Sequence, residues 1–119
     1  MRVIVAGAAD WTDAEAIARE LAKLPPGATV IHGDAPGADA RAGAAAAARL
    51  GFRVEPMAKN REDYARYKRG AWKGLNERML ASGAVLVLAF HADLARSRGT
   101  RHLVGLARAA GIEVRLFGA

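Results

Sequence analysis

The sequence predicts an α/β protein in which five parallel strands form one sheet with helices on both faces. One observation and one general rule favour this fold. Short β-branched and apolar runs alternate with segments of helical spacing throughout the 119 residues. Right-handed crossovers between such strands give a doubly wound, Rossmann-like, three-layer arrangement. We expect the strand order 3-2-1-4-5, which makes strands one and four neighbours, within a single domain over residues 1–119.

The chain begins with a predicted strand and helix. Residues 2–6 are a β-branched run that ends at Gly7, which indicates a buried strand. Residues 13–24 carry apolar side chains at helical spacing, with Thr12 or Asp13 as the N-cap. A Pro-Pro-Gly sequence then stops the helix, which leads the chain back toward the sheet.

The next elements are a strand, an alanine-rich helix and a short strand. Residues 28–32 form the second strand, and residues 52–56 form the third. Between them, residues 38–50 are predicted to be helical, with Asp39 at the N-terminal cap and Gly51 at the end. The small alanine side chains allow this helix to pack closely on the sheet.

The second half continues the alternation. Residues 61–80 are helical in character, with a break near Gly70 or Gly74. Residues 84–90 are the most apolar strand, which predicts a central position in the sheet. A last helix at residues 100–110 and a last strand at residues 112–117 follow.

The composition excludes several classes of protein. The absence of cysteine excludes disulfides and thiolate zinc sites and is typical of a reducing cytoplasm. The three histidines have no carboxylate spacing typical of a metal site, and no apolar run approaches the ~20 residues that span a bilayer. No P-loop or dinucleotide fingerprint is present, so we expect no metal or other cofactor. The net charge of +6 favours an anionic partner, either a phosphorylated small molecule or nucleic acid.

The string His-Gly-Asp-Ala-Pro-Gly-Ala-Asp at residues 32–39 is the first candidate binding segment. Ligands of such sheets bind beyond the carboxyl ends of the strands, where this segment lies. Gly33 and Gly37 permit close approach of the backbone to a ligand, and the following helix turns its amides toward it. Asp39 either caps that helix or contacts the ligand. His32 is either a structural residue or a ligand contact.

A second candidate follows the central strand. Gly99 and Thr100 stand at the start of a helix, where a phosphate can take backbone amides and the threonine hydroxyl. An ordinary threonine N-cap is the alternative. If a phosphate binds at Gly99 and Thr100, the preceding loop, residues 91–98, would act as a mobile lid or phosphate gate. The neighbouring cations are Arg96, Arg98 and Arg101.

A third candidate is the basic and aromatic stretch at residues 60–79. Basic side chains interleaved with Tyr64, Tyr67 and Trp72 can bind single-stranded nucleic acid by stacking. The same composition fits an amphipathic surface helix or a subunit contact, so a homo-oligomer is an open alternative. The basic residues are Arg61, Arg66, Lys68, Arg69, Lys73 and Arg78.

Together these segments resemble the small YspA-core branch of the SLOG superfamily, which is related to the Smf/DprA and LOG families. The motifs that carry the resemblance are Gly7 with residues 10–13, residues 32–39, residues 76–80, residues 89–90, and Gly99-Thr100 with His102. Three positions depart from the pattern. Ala8-Ala9 replace Ser-Arg, Leu75 replaces Arg, and Leu103 replaces the glutamate of LOG enzymes.

The resemblance implies that a nucleotide or nucleotide-derived phosphorylated ligand binds in the crevice. Phosphate would lie on the glycines and Thr100, ribose on Asp39, and the base near Asn76 and Trp11. N-glycosidic hydrolysis is the enzymatic alternative, with Asp10, Asp34 and Asp39 as candidate carboxylates. The expected ligand contacts are Gly7, Trp11, His32, Gly33, Gly37, Asp39, Asn76, Gly99 and Thr100.

Overall fold

The computed structural model describes residues 1–33, 37–46 and 50–118, and its five strands form one parallel sheet. The strand order is β3-β2-β1-β4-β5, so the predicted topology is confirmed. Pairing of Val3 with Leu86 and of Gly7 with Phe90 sets the first and fourth strands side by side. The strands are β1 (Arg2–Gly7), β2 (Thr29–Gly33), β3 (Arg53–Met57), β4 (Leu86–Phe90) and β5 (Glu113–Phe117).

The helices cover both faces of the sheet because the side chains of β1 alternate between them. On one face, Val3 and Val5 belong to a buried cluster with residues of the first two helices. On the other, Ile4 and Ala6 are buried against the last two. The helices are α1 (Ala14–Leu21), α2 (Ala38–Ala45), α3 (Arg61–Tyr67), α4 (Trp72–Ala81) and α5 (Gly99–Ala109).

The start of α2 differs from the prediction. Gly37, with a φ of 80°, is the N-cap, and Asp39 lies within the first turn, so the prediction of Asp39 as the cap is wrong. The Ala38 N–H donates to the Ala8 carbonyl at 3.2 Å. A side chain at Gly37 would collide with the carbonyl oxygens of Ala8 and Ala9. Residues 47–49 of the predicted helix lie outside the described residues.

Two other helix starts test the predicted caps. Asp13 caps α1 as predicted, and its Oδ1 accepts the Ala16 N–H at 3.0 Å. Helix α5 begins one residue earlier than expected, with Arg98 at the N-cap position. Ser97 Oγ accepts the Thr100 N–H at 3.0 Å, so Thr100 is not the capping residue. Its hydroxyl is thereby left for another role.

The predicted break in residues 61–80 is present. A 3₁₀ turn at Lys68–Gly70 separates α3 from α4, and Lys68 has a φ of 54°. Gly74, the other predicted break point, lies inside α4, where a side chain would collide with Asp63. In the part of the chain that is described, no helix has the length and apolarity needed to cross a membrane.

Candidate functional site

A cleft of about 130 Å³ lies at the carboxyl ends of β1 and β2, between α4 and the start of α5. We call it the inner cleft. Its position is the one expected for ligands of a doubly wound sheet. It brings together six of the predicted contact residues, from five separate segments of the chain. Its lining residues are Ala6, Gly7, Gly33, Asp39, Lys59, Trp72, Leu75, Asn76, Met79, Gly99, Thr100 and Leu103.

The three glycines that line the inner cleft differ in whether packing requires a glycine at their position. A Cβ at Gly7 would collide with the Phe90 carbonyl and lie 2.8 Å from Ala38 Cβ, so this glycine permits tight packing of the fold. A Cβ at Gly33 would lie 2.9 Å from Asp39 Oδ2. A Cβ at Gly99 would meet nothing within 4 Å. Gly99 is therefore not required by packing, and its small size keeps space open beside the cleft.

Asn76 is a buried residue whose amide nitrogen is hydrogen-bonded and whose amide oxygen has no partner among the described residues. Its side chain is held by two hydrogen bonds, because Nδ2 donates to the Gly99 carbonyl at 3.0 Å and to His102 Nδ1 at 3.1 Å. The residue is only 6% exposed. Oδ1 accepts no hydrogen bond from the residues that the structure describes, yet it is not sealed from solvent. It can therefore accept a hydrogen bond from a ligand in the cleft.

Thr100, on the neighbouring helix α5, is also a buried residue whose side-chain oxygen has no partner among the described residues. It is 7% exposed, and its backbone N–H is already used by Ser97. Its hydroxyl has no hydrogen bond within the described ranges and is also reachable by solvent. Buried polar groups are normally hydrogen-bonded to protein or water, so a ligand that displaces water from the cleft can take over the hydrogen bonds of both oxygens. Both are available to the same small polar ligand.

His102 orients Asn76 from outside the inner cleft. Burial lowers the pKa of this imidazole from its usual 6.5, and the nearby Lys73 cation lowers it further, while Glu77 acts in the opposite direction. The neutral ring can accept the Asn76 amide at Nδ1. Its ring also packs edge-on against Trp72, with the centroids 5.3 Å apart. The neutral histidine thus holds the amide so that its oxygen remains free.

Lys59 reaches the inner cleft from a turn that is held by an ion pair. Arg78 Nη2 donates to Asp63 Oδ2 at 2.5 Å and to the Ala58 carbonyl at 2.6 Å. Asp63 also accepts the Asn60 N–H at 2.9 Å. The hydrogen bond from Arg78 is the main reason that the pKa of Asp63 lies below its usual value, although burial opposes the shift. These contacts fix the turn on both sides of Lys59.

Three of the predicted contact residues lie elsewhere. Gly37 is used for the α2 cap and does not line the inner cleft. His32 faces α2, where its Nε2 would lie 2.8 Å from a Cβ at Gly43, and its Nδ1 donates to the Gly33 carbonyl at 2.6 Å. Trp11 packs against Phe90, with ring centroids 5.6 Å apart, on the opposite face of the sheet from Asn76.

Trp11 lines a separate and wider cavity of about 480 Å³, which we call the Trp11 hollow. Asp10 lies there, away from Asp39. Asp34 lies outside the described residues. The described lining of the inner cleft therefore contains one carboxylate, and no metal-binding cluster occurs in the described parts of the chain. The residues of the Trp11 hollow are Ala8, Asp10, Trp11, Thr12, Asp13, His91, Ala92, Asp93 and Arg96.

The basic stretch at residues 60–79 does not form a uniform binding surface. Arg78 is paired with Asp63, and Arg66 lies 3.8 Å from Glu77. Trp72 lines the inner cleft. The nucleic-acid interpretation of this stretch stays a prediction.

Sequence reasoning missed Lys59 and Trp72 as lining residues of the inner cleft. The signal for Lys59 was its position directly after β3, at the same edge of the sheet as the predicted site. The sequence pattern places Trp72 in the basic stretch at residues 60–79 and gives no direct sign of its position in the cleft. A helical wheel of α4 could have placed it near Asn76, because residues four apart share a helix face.

Comparisons with known proteins show the family of the chain. Residues 1–64 match the model of the YspA, cpYpsA-related SLOG family, YAcAr. The chain belongs to the YAcAr family. The chain is also similar to the Gene 61 protein of Mycobacterium phage D29, with 39% identity over 123 residues that cover 98% of this chain and 96% of the phage protein. The YAcAr match includes β1, β2 and Asp39, and the likeness to the phage protein extends through α4 and α5.

Proposed function

We propose that the protein binds a nucleotide or a nucleotide-derived phosphorylated ligand in the inner cleft. The observation that carries this proposal is the pair of open oxygens on Asn76 and Thr100, both on residues that are more than nine-tenths buried. Membership in the YAcAr family, which is a SLOG family, is consistent with such a ligand. The lack of cysteine supports action in a reducing cytoplasm.

The chemistry of the two groups is complementary. The Thr100 hydroxyl can donate to a phosphate oxygen, and the first turn of α5 adds the positive end of the helix dipole. Asn76 Oδ1 accepts only, so it suits a ribose hydroxyl or an exocyclic amine of a base. Lys59 contributes a cation at the rim. The cleft therefore has donors for an anion and an acceptor for the neutral part of a nucleotide.

The volume limits how much of the ligand is enclosed. Pockets that enclose drug-sized ligands measure roughly 300–1,000 Å³. The inner cleft measures about 130 Å³ and can enclose a phosphate with part of a sugar. The rest of the nucleotide would lie at its mouth, next to Trp72.

Binding without hydrolysis fits the described residues better than the enzymatic alternative. Hydrolysis of glycosidic bonds commonly uses two carboxyl groups. Asp39 is the one carboxylate among the described lining residues, and Leu103 stands at the position of the LOG glutamate. A binding or sensing role needs neither group.

Replacement of Gly99 by valine tests the proposed function. We expect Gly99→Val to weaken binding of nucleoside monophosphates at least about tenfold, because the side chain occupies space where phosphate would approach. The fold should tolerate it, since a Cβ there meets nothing within 4 Å. Gly105→Val is the matched control, because Gly105 also lies in α5 with open space around its Cβ position. Isothermal titration calorimetry with adenosine and guanosine monophosphates measures the affinities.

Thr100→Ala provides the second arm of this test. Loss of the hydroxyl should cost about 0.5–1.5 kcal/mol of binding free energy, and up to ~3 kcal/mol where the phosphate charge strengthens the bond. Thermal melts check that each variant is folded. Equal binding by wild type and folded Gly99→Val would show that phosphate is held elsewhere.

A further inference from the structure

A third cavity, of about 510 Å³, lies beside the inner cleft at the start of α4 and α5. We call it the basic hollow. It is lined by Trp72, Lys73, Arg98, Arg101 and His102. Three of these five residues are cationic, and none is acidic. The composition is therefore that of an anion-binding surface.

The cations of the basic hollow differ in their partners from the ion-paired arginines of the chain. Arg2, Arg66 and Arg78 form ion pairs with carboxylates. Within the described residues, no carboxylate pairs with Lys73, Arg98 or Arg101. Lys73 lies over the Trp72 ring at 5.6 Å, and Arg101 donates to the Ala95 carbonyl at 3.2 Å. Their charges are thus concentrated in one place with no described carboxylate at ion-pair distance, although Glu77 acts on the neighbouring His102.

The basic hollow is directly adjacent to the inner cleft. Trp72 lines both. Arg98 of the hollow precedes Gly99 of the cleft, and His102 of the hollow accepts the amide of Asn76 in the cleft. A single ligand can therefore occupy both.

We propose that the basic hollow is a second phosphate subsite, so that the ligand of this protein is a nucleotide carrying at least two phosphate groups. This inference rests on the proposed function, because the first phosphate or its ribose occupies the inner cleft. The second phosphate would contact Lys73 and Arg98 beyond Trp72. Guanidinium and ammonium groups bind phosphate through charge-assisted hydrogen bonds. The small inner cleft then holds one part of the ligand, and the hollow holds the other.

Comparison of mono- and bisphosphates tests the second subsite. The probes are adenosine and guanosine as 5′-monophosphates, 5′-diphosphates and 3′,5′-bisphosphates, titrated by calorimetry. In wild type, we expect at least one compound with two phosphates to bind about tenfold more tightly than its monophosphate, which corresponds to ~1.4 kcal/mol. Comparison of the 5′-diphosphate with the 3′,5′-bisphosphate distinguishes a ligand whose two phosphates are linked from one whose phosphates lie on opposite sides of the ribose.

The double variant Lys73→Gln/Arg98→Gln should reduce the affinity for the preferred compound to the level of the monophosphate. Affinity for the monophosphate itself should be unchanged within about twofold. Arg108→Gln, at an exposed position in the last turn of α5, is the control for loss of positive charge. This variant should still bind the compound with two phosphates more tightly than the monophosphate. Circular dichroism confirms that the variants are folded.

Other outcomes would overturn the second subsite. If wild type binds monophosphates and gains nothing from a second phosphate, the subsite is wrong and the proposed function stands. If the gain survives in the double variant, the second phosphate binds elsewhere. If no nucleotide binds at all, both proposals fail. If the double variant instead loses binding of a single-stranded oligonucleotide that wild type prefers over every bisphosphate, the basic hollow is a nucleic-acid contact.

Discussion

The inner cleft and the Trp11 hollow lie at the same edge of the sheet but on opposite faces, and they differ in how their polar groups are used. The Trp11 hollow is larger, about 480 Å³ against about 130 Å³. In it, Trp11 Nε1 donates to the Asp13 carbonyl at 3.0 Å, and His91 Nδ1 accepts the Asp93 N–H at 2.9 Å. In the inner cleft, two buried oxygens remain open. Unused oxygens on buried residues therefore distinguish the candidate site better than size does, because the Asp10 and Thr12 side chains of the Trp11 hollow, which have no partner among the described residues, are exposed.

The two spaces also differ in charge. Three carboxylates line the Trp11 hollow, and Arg96 is the one lysine or arginine among its described lining residues. Asp93 and Arg96 approach within 3.3 Å of each other. A phosphate entering this hollow would meet net negative charge, whereas the inner cleft adjoins the basic hollow. Electrostatics and hydrogen bonding thus favour the same side of the sheet.

Adding one valine side chain to the lining of each space should give the largest difference between them. Gly33→Val should abolish nucleotide binding in the inner cleft, a loss of about 100-fold or more, because its Cβ would lie 2.9 Å from Asp39 Oδ2 and the side chain would fill the cleft. Ala92→Val at the exposed rim of the Trp11 hollow should leave affinity unchanged. Fluorescence anisotropy with a labelled nucleotide, with unfolding curves for both variants, measures the effect. The opposite ranking of the two variants would reverse the comparison.

The ion pairs near the two spaces should differ in their contribution to stability. Asp63 is 4% exposed and holds Arg78 and the Asn60 N–H, so Asp63→Asn should lower the free energy of unfolding by about 2 kcal/mol. The pair of Asp93 and Arg96 is exposed, and Asp93→Asn should cost less than about 0.5 kcal/mol. Urea unfolding at pH 7 measures both, and equal losses would contradict the comparison.

The contribution of Asp63 should also depend on pH. Because the hydrogen bond from Arg78 lowers the pKa of Asp63, its contribution is full above the unfolded pKa near 3.8 and is lost as the pH falls through the lower folded value. Asp63→Asn should remove this part of the acid dependence. Urea unfolding at a series of pH values from 7 to below 4 provides the measurement.

The smallest effect should come from His102. Its pKa lies below 6.5, so its contribution to stability is full above 6.5 and is lost as the pH falls through the folded value. Protonation of Nδ1 ends its acceptance of the Asn76 amide, and we expect nucleotide affinity to fall a few-fold over the same range. His102→Gln should remove this pH dependence, while His91→Gln in the Trp11 hollow should retain it. NMR titration of the imidazole signals assigns the transition.

The sequence was sufficient to predict the parallel sheet and its strand order, because each strand is a short apolar run and the connections are long enough for right-handed crossovers. It was also sufficient to bring Gly33, Asp39, Gly99 and Thr100 to one region, since their segments follow the carboxyl ends of strands, whereas Asn76, within α4, was placed there by the family resemblance. These are local patterns, and parallel topology converts them into a common location.

The sequence was insufficient where the outcome depends on which face a residue occupies. His32 and Gly33 are adjacent, but strand alternation directs His32 toward α2 and Gly33 toward the inner cleft. Asp39 was mistaken for a cap because the backbone contacts of Gly37 with Ala8 and Ala9 come from a distant segment. The open oxygens on Asn76 and Thr100 become apparent only when every other partner is known.

Gly7 and Gly99 line the same cleft, yet a population of variants would treat them under different selective pressures. Any side chain at Gly7 collides with the Phe90 carbonyl, so selection for folded protein alone is sufficient to retain glycine there. Gly99 has open space and would drift freely wherever only folding is required. Retention of Gly99 among descendants would therefore record continued use of the ligand, and its loss would mark lineages that have given up binding while keeping the fold.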